Sequence, residues 1–323
     1  MKAIRFAKTG GPEVLELKEI DLPPPRAGEV RVRHVAIGVN FIDTYQRSGL
    51  YPVPLPSGLG LEAAGEVEAT GENVTTIAKG DRVAYCTGPI GSYAEANNVP
   101  ADRVVKLPAD ISEETAAAAL LKGMTAQYLL KRTYPLAAGE MIVFHAAAGG
   151  VGLIACQWAK HIGATVIGTV GSDEKAALAK ENGCTHVLNT RSGDWSARVR
   201  ALASGNGVPV VYDGIGKDTF AGSLDCLAVR GMLVSFGNAS GAVPAFEPGI
   251  LSAKGSLYLT RPTLFHYTRS QRELQETAND LFSVIQSGAV KIAVHQRFPL
   301  AEARKAHEAL HARATTGATL LFP

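Results

Sequence analysis

The sequence predicts an α/β protein in which a β-rich region precedes a parallel sheet with crossover helices. The first observation is that short apolar runs separated by Gly and Pro fill residues 1 to about 110, a pattern closer to a small barrel than to a layered sheet. The second is that strand-like and helix-like segments alternate from about residue 112 onward, which is typical of a parallel sheet. The length of 323 residues fits two domains of about 150 residues each.

The individual elements follow from apolar periodicity and from Gly and Pro stops. In the β-rich region we predict strands at 30–35, 64–69 and 82–85 and one helix at 40–47. In the alternating region the predicted strands are 141–145, 165–169, 186–189, 209–213 and 232–236. The helices predicted there begin at Ser112 and lie near 125–132, 151–162, 173–182, 194–203 and 217–229. Toward the end we predict strands near 255–262, 290–295 and 318–323 and helices at 270–287 and 301–312.

Composition excludes several classes of function. The net charge is +2 with 19% charged residues, so no basic patch favours nucleic acid or a membrane surface. No apolar run reaches the ~18 residues of a membrane helix, and the N-terminus lacks a secretory apolar segment, so we expect a cytosolic protein. None of the cysteines has C-x-x-C spacing, and most are predicted to be buried free thiols. They are Cys86, Cys156, Cys184 and Cys226.

A glycine-rich turn between a predicted strand and helix is the strongest functional signal. The apolar run 141–145 leads into Gly149, Gly150 and Gly152, and a helix and a second strand follow. Such a unit binds a dinucleotide, because glycines let the backbone approach the pyrophosphate and the helix start offers free N–H groups. The first glycine of the G-x-G-x-x-G pattern is Ala147 here, so a turn that only permits close packing is the alternative. We predict a bound nicotinamide nucleotide and hydride transfer.

The residues after the second strand indicate which nucleotide binds. NAD sites usually carry an acid about 20 residues after the glycines to hold the ribose 2′-hydroxyl. Here that stretch reads Thr169 to Ser172 without a carboxylate, and Asp173 and Lys175 follow. Ser172 and Lys175 suit a 2′-phosphate, which predicts NADPH. Alternatively, Asp173 caps the next helix and Lys175 is a solvated surface charge.

Short motifs along the whole chain carry a family resemblance. They are NFIDTY (40–45), LGLEAAG (59–65), GDRV (80–83), HAAAGGVG (145–152), VYD (211–213), SFG (235–237) and AHE (306–308). With these motifs the chain resembles the medium-chain dehydrogenase/reductase superfamily, and within it the zeta-crystallin-like quinone oxidoreductases. The resemblance implies a GroES-like β-rich catalytic domain at 1–123 and 265–323, and a Rossmann doubly wound NADPH-binding domain at 124–264. It also implies a homodimer.

Residues that zinc-dependent members of the superfamily use are missing. No Cys precedes Ala84, and the Gly-His-Glu element reads Gly60-Leu61-Glu62. Zinc catalysis needs several converging N, S or O ligands, so we predict no metal site. His34 and Glu62 are expected to have structural roles.

Without a metal, the expected substrate is one that accepts hydride readily, such as a quinone. Candidate hydrogen-bond groups for it are Asn40, Tyr45 and Tyr51, with Asn40 also able to bond the cofactor; alternatively Asn40 caps its helix and the tyrosine hydroxyls face water. No general acid stands out, and solvent could supply the proton.

The resemblance also implies a set of cofactor contacts. The pyrophosphate would meet the glycine turn, and the adenosine phosphate would meet the residues around Ser172 and Lys175. The implied residues are Asn40, Tyr128, Gly149, Gly150, Val151, Gly152, Gly171, Ser172, Lys175, Thr190, Gly237, Asn238 and Arg313. Many relatives have tyrosine where Thr190 stands, which could weaken NADPH binding or leave it to Lys175 and Arg191. Arg313 could instead be a surface charge.

The sequence therefore predicts an NADPH-dependent quinone reductase that works without zinc. A reductase of activated C=C bonds (enals or enones) with the same hydride donor is the alternative. A low-turnover NADPH- or RNA-binding protein is a third possibility, and the near-neutral charge argues against RNA as its main partner.

Overall fold

The computed structural model describes all 323 residues, from Met1 to Pro323. The strands β1 to β16 are Lys2–Phe6, Glu16–Glu19, Glu29–Val39, Ser57–Gly58, Glu62–Thr70, Arg82–Tyr85, Ala96–Pro100, Val105–Lys106, Met141–Phe144, Thr165–Val170, His186–Asn189, Val208–Asp213, Leu227–Ser235, Tyr258–Thr260, Val294–Pro299 and Ala318–Phe322. The helices α1 to α10 are Phe41–Ser48, Glu113–Tyr128, Gly150–Ile162, Asp173–Glu181, Trp195–Leu202, Phe220–Asp225, Gly249–Ala253, Leu264–Tyr267, Gln271–Gln286 and Ala303–His311.

The chain forms two compact units. One consists of Met1–Met124, Thr268–Gln286 and Ile292–Pro323, and the other of Thr125–Tyr267 and Ser287–Lys291. We call them the N-terminal unit and the nucleotide unit. The domain boundaries predicted from the sequence stay a prediction.

The nucleotide unit contains a six-stranded parallel sheet with the order β11-β10-β9-β12-β13-β14. From β9 the chain adds β10 and β11 on one side of the sheet, and it then adds β12, β13 and β14 on the other side. The strand order therefore reverses between β9 and β12. Its core is apolar and includes Val143, Ile167, Val211 and Leu233, all fully buried, because strands covered on both faces need apolar side chains throughout. This confirms the predicted doubly wound sheet.

The N-terminal unit is β-rich, as predicted. Its larger sheet has seven strands, with β15-β16-β3-β5-β6-β8 in order and β7 paired to β3. Only β15 and β16 pair in parallel there. A smaller sheet has the order β2-β1-β4. The strand β3 is the longest of the unit and alternates buried and exposed positions over its first half, as expected for a strand with one face on the core.

Three predicted elements differ from the observed ones. The helices predicted from Ser112 and near 125–132 are continuous, since α2 runs through Gly123 to Tyr128 and is followed by a π-helical segment at Leu129–Thr133. A Cβ at Gly123 would lie 2.4 Å from Leu281 Cδ1, so this glycine permits close packing of the two helices. The helix predicted at 217–229 is only Phe220–Asp225, because β13 already begins at Leu227. The strand predicted at 290–295 begins later, at Val294.

Two further sequence-level expectations concern the surface and the thiols. No helix is both long and apolar enough to cross a lipid bilayer. All four cysteines are buried free thiols, as predicted.

Candidate cofactor and substrate site

The glycine turn follows β9 at the point where the strand order reverses. Gly149 is the N-cap of α3, with extended backbone (φ −80°, ψ 175°) and no side chain to cap the helix. A Cβ on Gly152 would lie 2.3 Å from the carbonyl oxygen of Ala146 and 2.8 Å from Cα of Ala147. Only glycine therefore lets the first turn of α3 rest on the loop. The N–H groups at this helix start have no side-chain cap, and helix starts of this kind can bind anions such as a pyrophosphate.

A buried polar network lies among the strands behind this turn, and sequence reasoning missed it. His145 Nε2 lies 2.9 Å from Ser223 Oγ, and its Nδ1 lies 2.7 Å from Thr169 Oγ1. Ser223 Oγ in turn is 3.0 Å from Asp213 Oδ2. Burial lowers the pKa of His145, so the ring is neutral and can donate at one nitrogen and accept at the other. The network ties β9, β10 and β12 together beneath the turn.

The residues predicted to hold the adenosine phosphate cluster after β10. Ser172 is the N-cap of α4, and its Oγ accepts from the backbone N–H of Lys175 at 3.5 Å. Ser172, not Asp173, therefore caps this helix. The Asp173 carboxylate instead accepts from Asn189 Nδ2 at 3.0 Å. Thr190 Oγ1 donates to the Val170 carbonyl at 3.3 Å.

The loop after β13 is held by an arginine that sequence reasoning also missed. Arg261, next after β14, donates to the carbonyl oxygen of Gly237 at 3.0 Å and to Ser235 Oγ at 3.3 Å. With its amide oriented to satisfy both neighbours, Asn238 accepts from Arg261 at 3.0 Å. A Cβ on Gly237 would lie 2.4 Å from the carbonyl oxygen of Gly214. The two residues predicted to meet the nicotinamide side are thus fixed by one guanidinium group.

Tyr128, another predicted cofactor residue, lies at the end of α2 in the nucleotide unit. Its ring stacks on Tyr267 with centroids 4.5 Å apart and an interplanar angle of 13°. Burial raises the pKa of the Tyr128 hydroxyl, which keeps it protonated at neutral pH.

In the N-terminal unit the predicted substrate residues lie on and just after α1. Asn40 is the N-cap, and Asp43 Oδ2 accepts from its backbone N–H at 2.8 Å in a capping box. The rings of Tyr45 and Tyr51 meet edge to face, with centroids 5.2 Å apart. Helix α1 ends at Gly49, whose left-handed backbone (φ 85°) reverses the chain toward Tyr51. The structure therefore brings all three predicted residues to one helix and its following turn.

The Asn40 side chain is bound to a buried ion pair. Its Nδ2 donates to Glu62 Oε2 at 2.8 Å, and Lys122 Nζ donates to the same oxygen at 3.1 Å. Glu62 Oε1 accepts from the backbone N–H of Leu121 at 2.6 Å. Glu62 is fully buried and lies at the start of β5.

A second buried chain of hydrogen bonds leads from α1 to α10. Tyr93 donates to Asp43 Oδ2 at 2.9 Å and lies 3.0 Å from His307 Nε2, while His307 Nδ1 lies 3.1 Å from the Arg47 guanidinium. Arg47 must donate, so His307 carries its proton on Nε2 and each group in the chain donates to the next. Burial raises the pKa of Asp43 to about 7 and lowers that of His307 to about 3.

His34 is buried and has a hydrogen-bond partner at each ring nitrogen. Its Nδ1 lies 2.7 Å from the Ala94 carbonyl oxygen and its Nε2 lies 2.9 Å from the Tyr85 hydroxyl. Burial lowers the pKa of His34 to about 4, so the ring is a neutral connector between strands.

Arg313 is the remaining predicted residue. It follows α10 with a left-handed backbone (φ 54°), and its role at the cofactor stays a prediction.

Two family descriptions match the chain. "Alcohol dehydrogenase GroES-like domain" matches residues 26–109 and "Zinc-binding dehydrogenase" matches residues 150–284. Together with the doubly wound sheet and its glycine turn, these matches define a member of the medium-chain dehydrogenase/reductase superfamily.

Full-length relatives narrow this class. A quinone oxidoreductase of Pseudomonas aeruginosa is 56% identical, over 100% of this chain and 99% of its own. The crystal structure of an Escherichia coli quinone oxidoreductase complexed with NADPH superposes with a TM-score of 0.99, at 52% identity and full coverage of both chains. A 2-haloacrylate reductase of a Burkholderia species is 44% identical over 98% of this chain and 97% of its own. The chain belongs to the quinone oxidoreductase family of this superfamily.

Proposed function

We propose that this protein is an NADPH-dependent quinone reductase that transfers hydride without zinc. The observation that carries the proposal is the glycine turn, which lies where the strand order reverses. Only glycine fits at position 152, because a Cβ there would collide with the backbone of the loop. The Escherichia coli protein described above, which matches this chain over the full length of both, is a quinone oxidoreductase whose crystal structure contains NADPH.

We propose that the cofactor is held by residues of the nucleotide unit. The backbone of Gly149, Gly150, Val151 and Gly152 would meet the pyrophosphate, because it offers N–H groups and no side chain that obstructs approach. The adenosine phosphate would meet Gly171, Ser172, Lys175 and Thr190, and the nicotinamide side would meet Tyr128, Gly237 and Asn238. A lysine and a hydroxyl, with Asp173 held by Asn189, favour a 2′-phosphate over a free ribose hydroxyl.

The reduced nicotinamide supplies the hydride, and the protein contributes orientation and exclusion of water. We propose that Asn40, Tyr45 and Tyr51 contact the substrate. The two tyrosine rings offer an apolar, aromatic edge suited to a flat quinone.

The residues present do not fit a catalytic zinc ion. No group of three or more His, Cys, Asp and Glu side chains is arranged to hold a metal, Leu61 stands where a histidine would be needed, and Glu62 is engaged by three donors. A quinone needs no such ion, because delocalisation stabilises its reduced oxygens and hydrogen bonds suffice.

We further propose that residues 1–123 and 265–323 act as the catalytic domain, that 124–264 act as the nucleotide-binding domain, and that two copies form a homodimer. The edge of the six-stranded sheet supports the dimer, since Tyr258 on the edge strand β14 is 58% exposed and Val229 on the neighbouring strand β13 is 75% exposed. Exposed apolar side chains on an edge strand are typical of a covered surface. Sedimentation of wild type against Val229→Lys tests this: wild type should sediment as a dimer and the variant as a monomer, and a monomeric wild type would contradict it.

A spectrophotometric assay tests the activity. Oxidation of NADPH is followed at fixed enzyme concentration with a quinone, an enone or an alcohol as acceptor, and NADH serves as the second donor. We expect rapid turnover with the quinone and NADPH. The 2-haloacrylate reductase relative favours an activated C=C acceptor as the second candidate, which would be adopted if the enone were reduced faster than the quinone. Binding of NADPH without turnover of any acceptor would leave a binding protein.

A further inference from the structure

The amide of Asn40 has a defined orientation. A carboxylate can only accept hydrogen bonds, so the amide atom 2.8 Å from Glu62 Oε2 must be the nitrogen. The second hydrogen of Nδ2 points to the carbonyl oxygen of Gly38 at 3.4 Å. Both N–H groups of Asn40 are thus directed into the protein.

The oxygen Oδ1 is the part of this amide that can meet a ligand. It has two lone pairs, so an acceptor position remains even with the capping box of α1. Asn40 therefore accepts a hydrogen bond and has no N–H left to donate to a quinone carbonyl.

Glu62 is held in this arrangement from two sides. Lys122 neutralises Oε2 from a position in which only 7% of its side chain is exposed. Oε1 accepts from the backbone N–H of Leu121, in the middle of α2, at 2.6 Å. Gly38 makes room for the carboxylate, since a Cβ there would lie 2.1 Å from Glu62 Oε2. Burying this ion pair costs free energy that an apolar pair would not.

We propose that Glu62, held by Lys122, is a positioning residue that makes Asn40 a hydrogen-bond acceptor for a hydroxyl group of the bound ligand. This inference rests on the proposed function, because quinone reduction by NADPH brings two hydroxyl donors to the site, the ribose of NADPH and the reduced quinone. Both present the same O–H group to Oδ1.

The substitution Glu62→Gln should reverse the amide. The Leu121 N–H keeps the glutamine oxygen, so the glutamine NH2 faces both Asn40 and Lys122. The ammonium group of Lys122 loses its acceptor there and must move away, and Asn40 must turn its oxygen inward to accept from the NH2 group. The ligand hydroxyl then meets an N–H group, and the affinity for that ligand should fall by about 5- to 150-fold, the range expected for an unmatched polar contact. Glu66→Gln on the same strand, where Glu66 pairs with Arg33 at the surface, is the matched control and should change nothing.

The double variant Glu62→Gln/Asn40→Asp should restore binding. Its new carboxylate accepts from the glutamine NH2, stays beside Lys122 and again presents an oxygen to the ligand. Asn40→Asp alone places two carboxylates against each other and should lose affinity as the other single variant does. If Glu62→Gln does not fold, the comparison of Asn40→Asp with the double variant carries the same test.

Two binding measurements identify the hydroxyl. One is the Kd of NADPH from fluorescence titration without quinone, and the other is the inhibition constant of a hydroquinone against its quinone. Loss and rescue in the first measurement assign the hydroxyl to the ribose, and loss and rescue in the second assign it to the product; either supports the proposal. Unchanged values in both measurements for Glu62→Gln, or a double variant no better than Asn40→Asp, would overturn it.

A spectroscopic readout separates this proposal from the proposed function. The side-chain 15N resonance of Asn40, assigned by its absence in Asn40→Ala, should shift in Glu62→Gln because a charge-assisted bond is lost. An unshifted resonance overturns the positioning role even if quinone is reduced. Absence of quinone reduction with a shifted resonance overturns the proposed function alone.

Discussion

Replacing Gly152 by alanine should both destabilise the protein and weaken NADPH binding. The added Cβ would lie 2.3 Å from the carbonyl oxygen of Ala146 and 2.8 Å from Ala147 Cα. These neighbours are backbone atoms, so the first turn of α3 must move away from the loop by about 1 Å to reach ordinary contact distance. Inserting one carbon into a packed site of this kind costs about 1–3 kcal/mol.

The two consequences can be measured separately. A loss of 1–3 kcal/mol lowers Tm by about 2–12 °C for a protein of this size class, which circular dichroism resolves. The displaced N–H groups no longer point at the pyrophosphate. Loss of one charge-assisted hydrogen bond, worth about 1.5–3 kcal/mol, raises the Kd of NADPH by about 10-fold or more. Fluorescence titration gives this Kd.

Two other glycines serve as matched controls. Gly249 begins α7, and no atom lies within 4 Å of a Cβ built there, so Gly249→Ala should leave Tm and Kd unchanged. Gly171 has equally open surroundings, so Gly171→Ala should keep the Tm of wild type. Any rise in its Kd of NADPH would then come from contact with the cofactor and not from a change in stability. If Gly152→Ala matched Gly249→Ala in both Tm and Kd, the reasoning from close approach would be refuted.

Three more outcomes are expected. Lys175→Ala should weaken the binding of NADPH by about 1–3 kcal/mol and leave the binding of NADH unchanged, because only NADPH carries the 2′-phosphate. Lys180→Ala on the same helix is the control, and an unchanged Kd of NADPH in Lys175→Ala would show that Lys175 is a solvated surface charge. His34 has its pKa lowered to about 4, so the unfolded chain binds its proton first and stability falls as pH drops from 6.5 to 4. His34→Gln should remove about 3 kcal/mol of that pH dependence. Chemical denaturation at pH 6.5 and pH 4 measures it, and an equal loss of unfolding free energy between the two pH values in wild type and variant would contradict this. Treatment with a chelator should leave quinone reduction unchanged, whereas inactivation that added zinc reverses would show that a metal takes part.

The elements of the nucleotide unit could be predicted because their signals are local. The strand β9, the glycine turn and α3 follow one another within 22 residues, from Met141 to Ile162, and each has its own apolar period or stop. Where local signals conflict, prediction fails. The helices predicted from Ser112 and near 125–132 are one helix, α2, which runs through Gly123, and Leu281, far along the chain, packs where a side chain at Gly123 would be.

Polar networks could not be predicted, since their partners are distant in sequence. Asp213 and Ser223 come together with His145 only when β9 and β12 are adjacent. His307 meets Tyr93 across 214 residues. The motifs that contain His145, Asp43 and His307 carried the family resemblance, but no spacing rule shows which polar side chains will meet in the core.

These networks lie where precise placement is needed. One fixes the strand ends beneath the glycine turn of α3, and the other two hold the start of α1 through Asn40 and Asp43. Apolar side chains of similar volume would stabilise either region at least as well, because a buried ion pair or histidine loses its hydration. Hydrogen bonds add direction, since they fix which end of an amide faces outward and how the start of a helix is oriented. The stability lost by burying these polar groups is therefore best explained by the need for a defined pattern of donors and acceptors toward a ligand. The reversal of the Asn40 amide in Glu62→Gln tests that explanation at a single group.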